Sequence, residues 1–254
     1  MTTKIIGKYK VEFFDTIEEM PVPRYMEFNK YLLIDSGIGS SPEDIDRNID
    51  KLAMYINSKD KENGLKQLMI LKQGLYFAMN GQSSKLMSFA CLINSINGEE
   101  VKYLSPDSLT EVINKLKNKL TMKIVSEIID DLKKKLDNEM ELYFPSFMDS
   151  AILKEYYEKI KIRAGLVLRQ IIEGVDLTED IMKIDTYLMS QVKPEVFHGK
   201  ESKELKYQKE FEEMCFTLNQ LTNKEAKSMT VMEFYTAFEM LKKQKPKKPT
   251  KHGR

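Results

Sequence analysis

From Ser105 to Leu142 the chain repeats large aliphatic residues at steps of three and four: Leu109, Val112, Ile113, Leu116, Leu120, Ile124, Val125, Ile128, Leu132 and Leu136. On a helix of 3.6 residues per turn that spacing lays them along one stripe. Charged residues such as Lys115, Lys119, Lys123, Asp130, Asp131 and Lys134 occupy the other positions, as a solvated face tolerates. Ser105-Pro106-Asp107-Ser108 supplies a start signal, a hydroxyl cap followed by proline. The pattern predicts one long, uninterrupted helix whose greasy stripe must be buried against other helices. That selects a mainly α packing protein and names no chemistry.

The remaining segments extend this reading. Tyr9, Val11 and Phe13 alternate within Ile5–Phe14, which predicts one short strand or extended arm. Such a strand must find a partner, within the chain or on a neighbouring molecule. Met20-Pro21-Val22-Pro23 excludes helix, and a short helix follows from Arg24 to Ile34. Ser41-Pro42-Glu43-Asp44 opens another, with Ile45, Ile49, Leu52, Tyr55 and Ile56 as its apolar face. A helix over 61–80 is expected to turn Leu65, Leu68, Met69, Leu71, Leu75 and Met79 inward. Ser83 to Ile96, greasy nearly all round, reads as a helix at the centre of the N-terminal half, and Asn97-Gly98 as a turn.

Pro145 forces a break. Beyond it, residues 148–173 carry Ile152, Tyr156, Ile160, Leu166 and Ile171 in helical phase, and Gly174 separates them from a helix ending near Gln191. Lys193-Pro194 and Gly199 mark the best hinge. The last two helices run from Ser202 to Leu221 and from Thr230 to Lys243, the second with a capping box of Thr230 and Glu233. The expected fold is an irregular bundle of eight to nine helices in four parts. These are an extended arm (1–22), a lobe including the long central helix (23–143), a second lobe (144–243) and a disordered basic tail (244–254).

A chain of 254 residues, 42% hydrophobic and 31% charged, is long enough to bury a core and ordinary for a soluble globular protein. The formal charge is +1, yet residues 242–254 hold seven cations and no acid, leaving −6 on residues 1–241. Cys91 and Cys215 lie in apolar surroundings and read as reduced core thiols, without the spacing of a metal site or disulfide framework. No secretory signal and no apolar run of membrane-spanning length is seen. The expected location is therefore the cytoplasm of the producing cell, with no membrane partner.

Constellations for catalysis are sparse. His198 sits in a polar connection and His252 in the tail, neither beside a nucleophile or acid cluster. Acid doublets such as Glu99-Glu100 and Asp130-Asp131 diverge by about 100° on a helix and do not converge on a metal. Gly37-Ile38-Gly39-Ser40-Ser41 precedes a helix, but it lacks the lysine and the strand of a phosphate loop. These observations predict no catalytic residue, no cofactor and no metal. An enzyme whose site assembles from scattered Asp, Glu and Tyr residues is the least favoured reading.

Partner contacts are the better expectation. The named residues are Tyr9, Val11 and Phe13 of the arm, Phe234, Tyr235 and Phe238 on the last helix, and Lys245, Lys247, Lys248, Lys251 and Arg254 of the tail. The aromatic face beside a basic tail suits helix-in-groove docking. The tail cations suit either an acidic protein surface, including another copy's body, or nucleic-acid phosphates; without aromatics they offer no base stacking. Sixteen methionines without tryptophan give an adaptable apolar inventory.

Two stretches carry a family resemblance: Met20-Pro21-Val22-Pro23-Arg24-Tyr25 with Gly37-Ile38-Gly39-Ser40, and Thr230-Val231-Met232-Glu233-Phe234-Tyr235. Together with the Lys/Asn/Ile-rich vocabulary, they resemble structural and assembly proteins of tailed bacteriophages of Bacteroidales, including crAss-like phages. The second is similar to a pattern in tail-assembly chaperone-like proteins. The resemblance covers less than a tenth of the chain and brings no catalytic residue. It implies a non-enzymatic head–tail connector, tail component, packaged protein or assembly chaperone, oligomeric or bound to other phage structural proteins. The alternative is a helical nucleic-acid-associated protein that binds through the basic tail.

Overall fold

The computed structural model describes residues 1–39, 41–79, 83–148, 151–191, 194–197 and 199–244. Within them the chain is mainly helical with one small antiparallel sheet. The predicted arm is a hairpin: β1 (Thr2–Ile6) pairs with β2 (Tyr9–Phe13). The two residues between them begin with Gly7 at φ +62°, the positive φ that a tight hairpin turn needs at this position and that glycine adopts without strain. β2 then finds its second partner inside the chain, β3 (Ile93–Ile96), which turns through Asn97-Gly98 into β4 (Glu99–Glu100). Both turn residues have positive φ, so the expected turn is present as a hairpin loop.

This sheet corrects the sequence reading at a second place. Only Ser84–Cys91 (α4) of the predicted Ser83–Ile96 helix is helical. Leu92 and Ile93 are fully buried whether the segment coils or extends, so an unbroken apolar run does not encode its own period; the waiting edge of β2 makes it a strand. The expectation of centrality holds, since Phe89, Ala90, Cys91, Leu92 and Ile93 are all fully buried.

α1 (Val22–Gly37) packs on α4. Its Arg24 is itself buried and donates from Nη1 to the carbonyls of Cys91 (3.1 Å) and Ile93 (2.9 Å) and from Nη2 to that of Val101. The guanidinium also lies over the Phe14 ring. One side chain thereby donates to three carbonyls around the strand, which satisfies the buried guanidinium.

The long central helix is two. α5 (Pro106–Leu116) ends in a 3-10 turn at Lys117–Lys119, Leu120 is extended, and α6 (Met122–Tyr143) begins afresh. Thr121 is the reason the restart is tolerated, because its hydroxyl accepts the Ile124 N–H at the new N-terminus. The break lets Leu109 and Leu116 on one segment, and Val125, Ile128, Ile129, Leu132 and Leu136 on the next, reach the same core from different directions. α6 then clamps the sheet region: Lys135 bonds Asp15 (3.0 Å), and the Glu139 carboxylate accepts the Ile17 N–H (2.8 Å).

After Pro145 opens α7 (Pro145–Met148), the chain continues as α8 (Ala151–Glu173), α9 (Thr178–Gln191), α10 (Lys203–Leu221) and α11 (Val231–Gln244). With α2 (Pro42–Asn57) and α3 (Lys61–Met79), eleven α-helices are present among the described residues, more than the eight or nine expected. The extra ones come from the split helix and from α7. One buried cluster runs from Ile6 to Phe234, on both sides of the lobe boundary expected at 143/144. The expected hinge is anchored: Phe197 is buried with its ring against Gly37, and its carbonyl accepts from Gln73. Lys193 and the tail residues 245–254 lie outside the described residues.

Candidate interaction surfaces

Most sequence-named contact residues are used by the chain itself. Val11, Phe13 and Phe234 are 0% exposed, and Tyr9 is half-buried against the same core. Phe234 stacks between Phe211 and Phe238, while Tyr235 meets Phe144 and Phe147 at 5.6 and 5.0 Å between ring centroids. Burial pushes the Tyr235 hydroxyl pKa upward. The Lys242 ammonium sits 3.6 Å from the Phe147 ring centroid. The aromatic face of α11 is thus largely a seam between α7, α10 and α11, and β2 lies between β1 and β3 in the sheet. Lys245, Lys247, Lys248, Lys251 and Arg254, like His198 and His252, lie outside the described residues.

The segments around Pro21 and Thr230 meet in space. Pro21 and Thr230 form an antiparallel bridge, with Val22 N–H to the Met229 carbonyl (3.0 Å) and Val231 N–H to the Met20 carbonyl (2.9 Å). The predicted capping box is formed: Glu233 N–H donates to Thr230 Oγ1, and the Glu233 carboxylate accepts from Thr230 N–H. These bonds staple two parts of the chain that are far apart in sequence.

Two helical hairpins present what the core does not use. In the first, α3 packs on α2 and on the end of α1 through Gly64, Gln67, Ile70 and Gly74. Gln67 Nε2 donates to Asn48 Oδ1 (3.0 Å), and Asn48 Nδ2 to the Ile38 carbonyl (2.7 Å). A Cβ on Gly74 would stand 2.9 Å from the Gly39 carbonyl oxygen, so only glycine admits this close backbone approach. The consequence inverts the expected orientation. Leu65, Leu68, Met69, Leu75 and Met79 (82% exposed), predicted to face inward, face outward together with Tyr76. On α2, Ile49 and Ile56 are likewise exposed.

In the second hairpin, α8 and α9 pack on each other through Arg163, whose guanidinium forks onto Asp185, and through Lys159 over the Tyr187 ring. None of their described side chains is buried. Tyr157, Ile160, Ala164, Leu168 and Ile171 recur at steps of three and four on the solvent side of α8. Ile171 and Ile172 are 73% and 79% exposed. A helix with apolar residues on two faces ordinarily has neighbours on both. The signal was in the sequence as a doubled stripe on α8 and as the Gly64/Gln67/Gly74 face on α3. Hydrophobicity alone ranks the wrong face of α3 as the inner one.

Elsewhere, charges around one cleft pair locally. An open cleft of about 370 Å³ between β4 and α5 is lined by Glu99, Glu100, Lys102, Glu111 and Lys115, with Glu99 bonded to Lys115 at 2.7 Å. That bond holds the Glu99 carboxyl below its usual range. Both cysteines are free and buried, and burial pushes the Cys91 thiol up to about 12, which leaves it unreactive at neutral pH. Among the described residues no three His, Cys, Asp or Glu side chains gather as metal ligands, and no helix is long and apolar enough to cross a membrane. Compared with protein-family models, curated proteins and solved structures, the chain matches none.

Proposed function

We propose that this chain is a non-enzymatic assembly subunit that works by protein–protein contact through the outward faces of α3 and α8. One observation carries the reading: two hairpins hold rows of large aliphatic side chains in solvent while the chain's own core is complete without them. A soluble monomer rarely keeps contiguous apolar patches of this kind without a partner for them. The resemblance of the stapled stretches around Pro21 and Thr230 to tailed-phage proteins supplies the setting, a particle component or an assembly chaperone.

The test is incorporation. Leu68→Gln/Leu75→Gln and Ile171→Gln/Ile172→Gln are introduced in the producing system, and particles or assembly complexes are quantified by mass spectrometry. The expected outcome is wild-type circular dichroism and melting temperature with at least tenfold less incorporation, roughly the effect of losing 1.4 kcal/mol or more of contact energy. Undiminished incorporation of both variants would sink the reading.

A further inference from the structure

We propose that the apolar end of the α8–α9 hairpin docks on the outward face of α3 in a second copy of this chain. This deepens the assembly reading by naming the partner, and it rests on that reading. The two surfaces agree in polarity and oppose in charge. On α3 the exposed apolar row, centred on Leu68 and Leu75, is accompanied by Lys61, Lys66 and Lys72 against a single acid, Glu62, a net +2. At the hairpin end, residues 168–183, the row of Leu168, Ile171 and Ile172 is accompanied by Glu173, Asp176, Glu179 and Asp180 against Arg169 and Lys183, a net −2.

Placing α3 on α3, or end on end, sets like charges together, which complementary interfaces avoid. Charge therefore selects the unlike pair. Both surfaces are exposed within one copy, so each remains free for a neighbour. A contact between two different patches is heterologous and repeats from copy to copy, closing into a ring or running on as a filament. Its strength follows from its size. α3 has 19 residues, about 28 Å of helix roughly 10 Å wide. One such face falls well short of the ~800 Å² per partner of a stable interface. Association is therefore reversible, concentration-dependent and weakened by salt, with closure of a ring adding avidity.

Sedimentation velocity on the purified full-length protein tests this, over a concentration series at low and high salt. Leu68→Gln/Leu75→Gln spoils the α3 face, and Ile171→Gln/Ile172→Gln spoils the hairpin end; neutral replacements avoid creating a new charge pair. Wild type is expected to grow in mass with concentration and to shrink at high salt. Each variant alone is expected to stay monomeric. The mixture is expected to form a 1:1 dimer and nothing larger, because it contains one intact pair of surfaces. A wild type monomeric throughout, a variant that self-associates like wild type, or a mixture that stays monomeric each overturns the proposal. Incorporation in the producing system is read separately. Loss of incorporation beside a monomeric wild type would refute the second copy as partner and keep the assembly reading.

Discussion

The sheet with α1, α4 and α6 and the two hairpins α2–α3 and α8–α9 solve the same problem in opposite ways. In the first region most large apolar side chains are covered by others, and polar groups hold neighbouring elements in place: Arg24 on three carbonyls, and Glu139 on the Ile17 N–H. In the hairpins the helices meet largely through glycine, amide and ion-pair contacts, and many large aliphatic side chains are left outside. Hydrophobic content is thus a poor guide to where stability resides here. The difference teaches that one region buries its large apolar side chains within the chain while the other leaves many of them in solvent.

Mutation breaks or sharpens that contrast most directly at the aromatic centre. Phe13 and Phe89, both fully buried, face each other at 5.6 Å between ring centroids. Phe89→Ala is expected to cost about 4 kcal/mol by denaturant unfolding, the usual penalty for an aromatic core cavity. Ile171→Ala, an equally apolar residue in the exposed row, is expected to change stability by about 0.5 kcal/mol or less. Similar losses at the two sites would erase the distinction between the regions.

Acid unfolding sharpens it next. Burial alone would raise the Asp15 carboxyl, but hydrogen bonds from Thr2 and Lys135 outweigh it and bring its pKa down to about 2. A depressed folded pKa means stability that is present above the unfolded value of about 3.9 and lost as pH falls toward 2, here about 2 kcal/mol. Asp15→Asn should therefore flatten the stability profile between about pH 4 and pH 2, measured by urea unfolding at stepped pH. A profile as steep as wild type would show that this contact does not hold α6 to the sheet region.

The smallest effects compare two glycines. Gly74→Ala forces its new methyl against the Gly39 carbonyl and is expected to cost about 1–2 kcal/mol, as overpacking does. Increased hydrogen exchange confined to α2 and α3 would localise the loss. Gly165, mid-helix in α8, has open space around it, so Gly165→Ala should raise the stability of the isolated chain by about 0.5–1 kcal/mol. A thermal melt in which both changes have the same sign would contradict the packing assigned to these hairpins.

Several features were legible in the sequence because they depend only on neighbours a few residues away. The caps at Ser41, Ser105 and Thr230, the break at Pro145 and the turn at Asn97-Gly98 all appear where the residues put them. The helix starting at Thr121 carried a cap too, but an unbroken stripe concealed it. The exposed rows were legible as apolar and illegible as outward-facing. Leu68 and Phe13 look alike in a pattern, and only the surrounding fold decides that one is solvated and the other enclosed.

What the chain determines by itself, then, is helix where apolar residues recur at steps of three and four, and where most of those helices begin. Only the tertiary structure decides that Ile93–Ile96 extends along β2, that Val11 and Phe13 are consumed inside, and that α3 turns its glycine and glutamine side toward α2. The physical reason is range. Caps and turns are set by local backbone hydrogen bonds, whereas burial is set by which distant surface arrives, and on α3 a close backbone approach at Gly74 with a bonded Gln67–Asn48 pair prevailed over the burial of leucines.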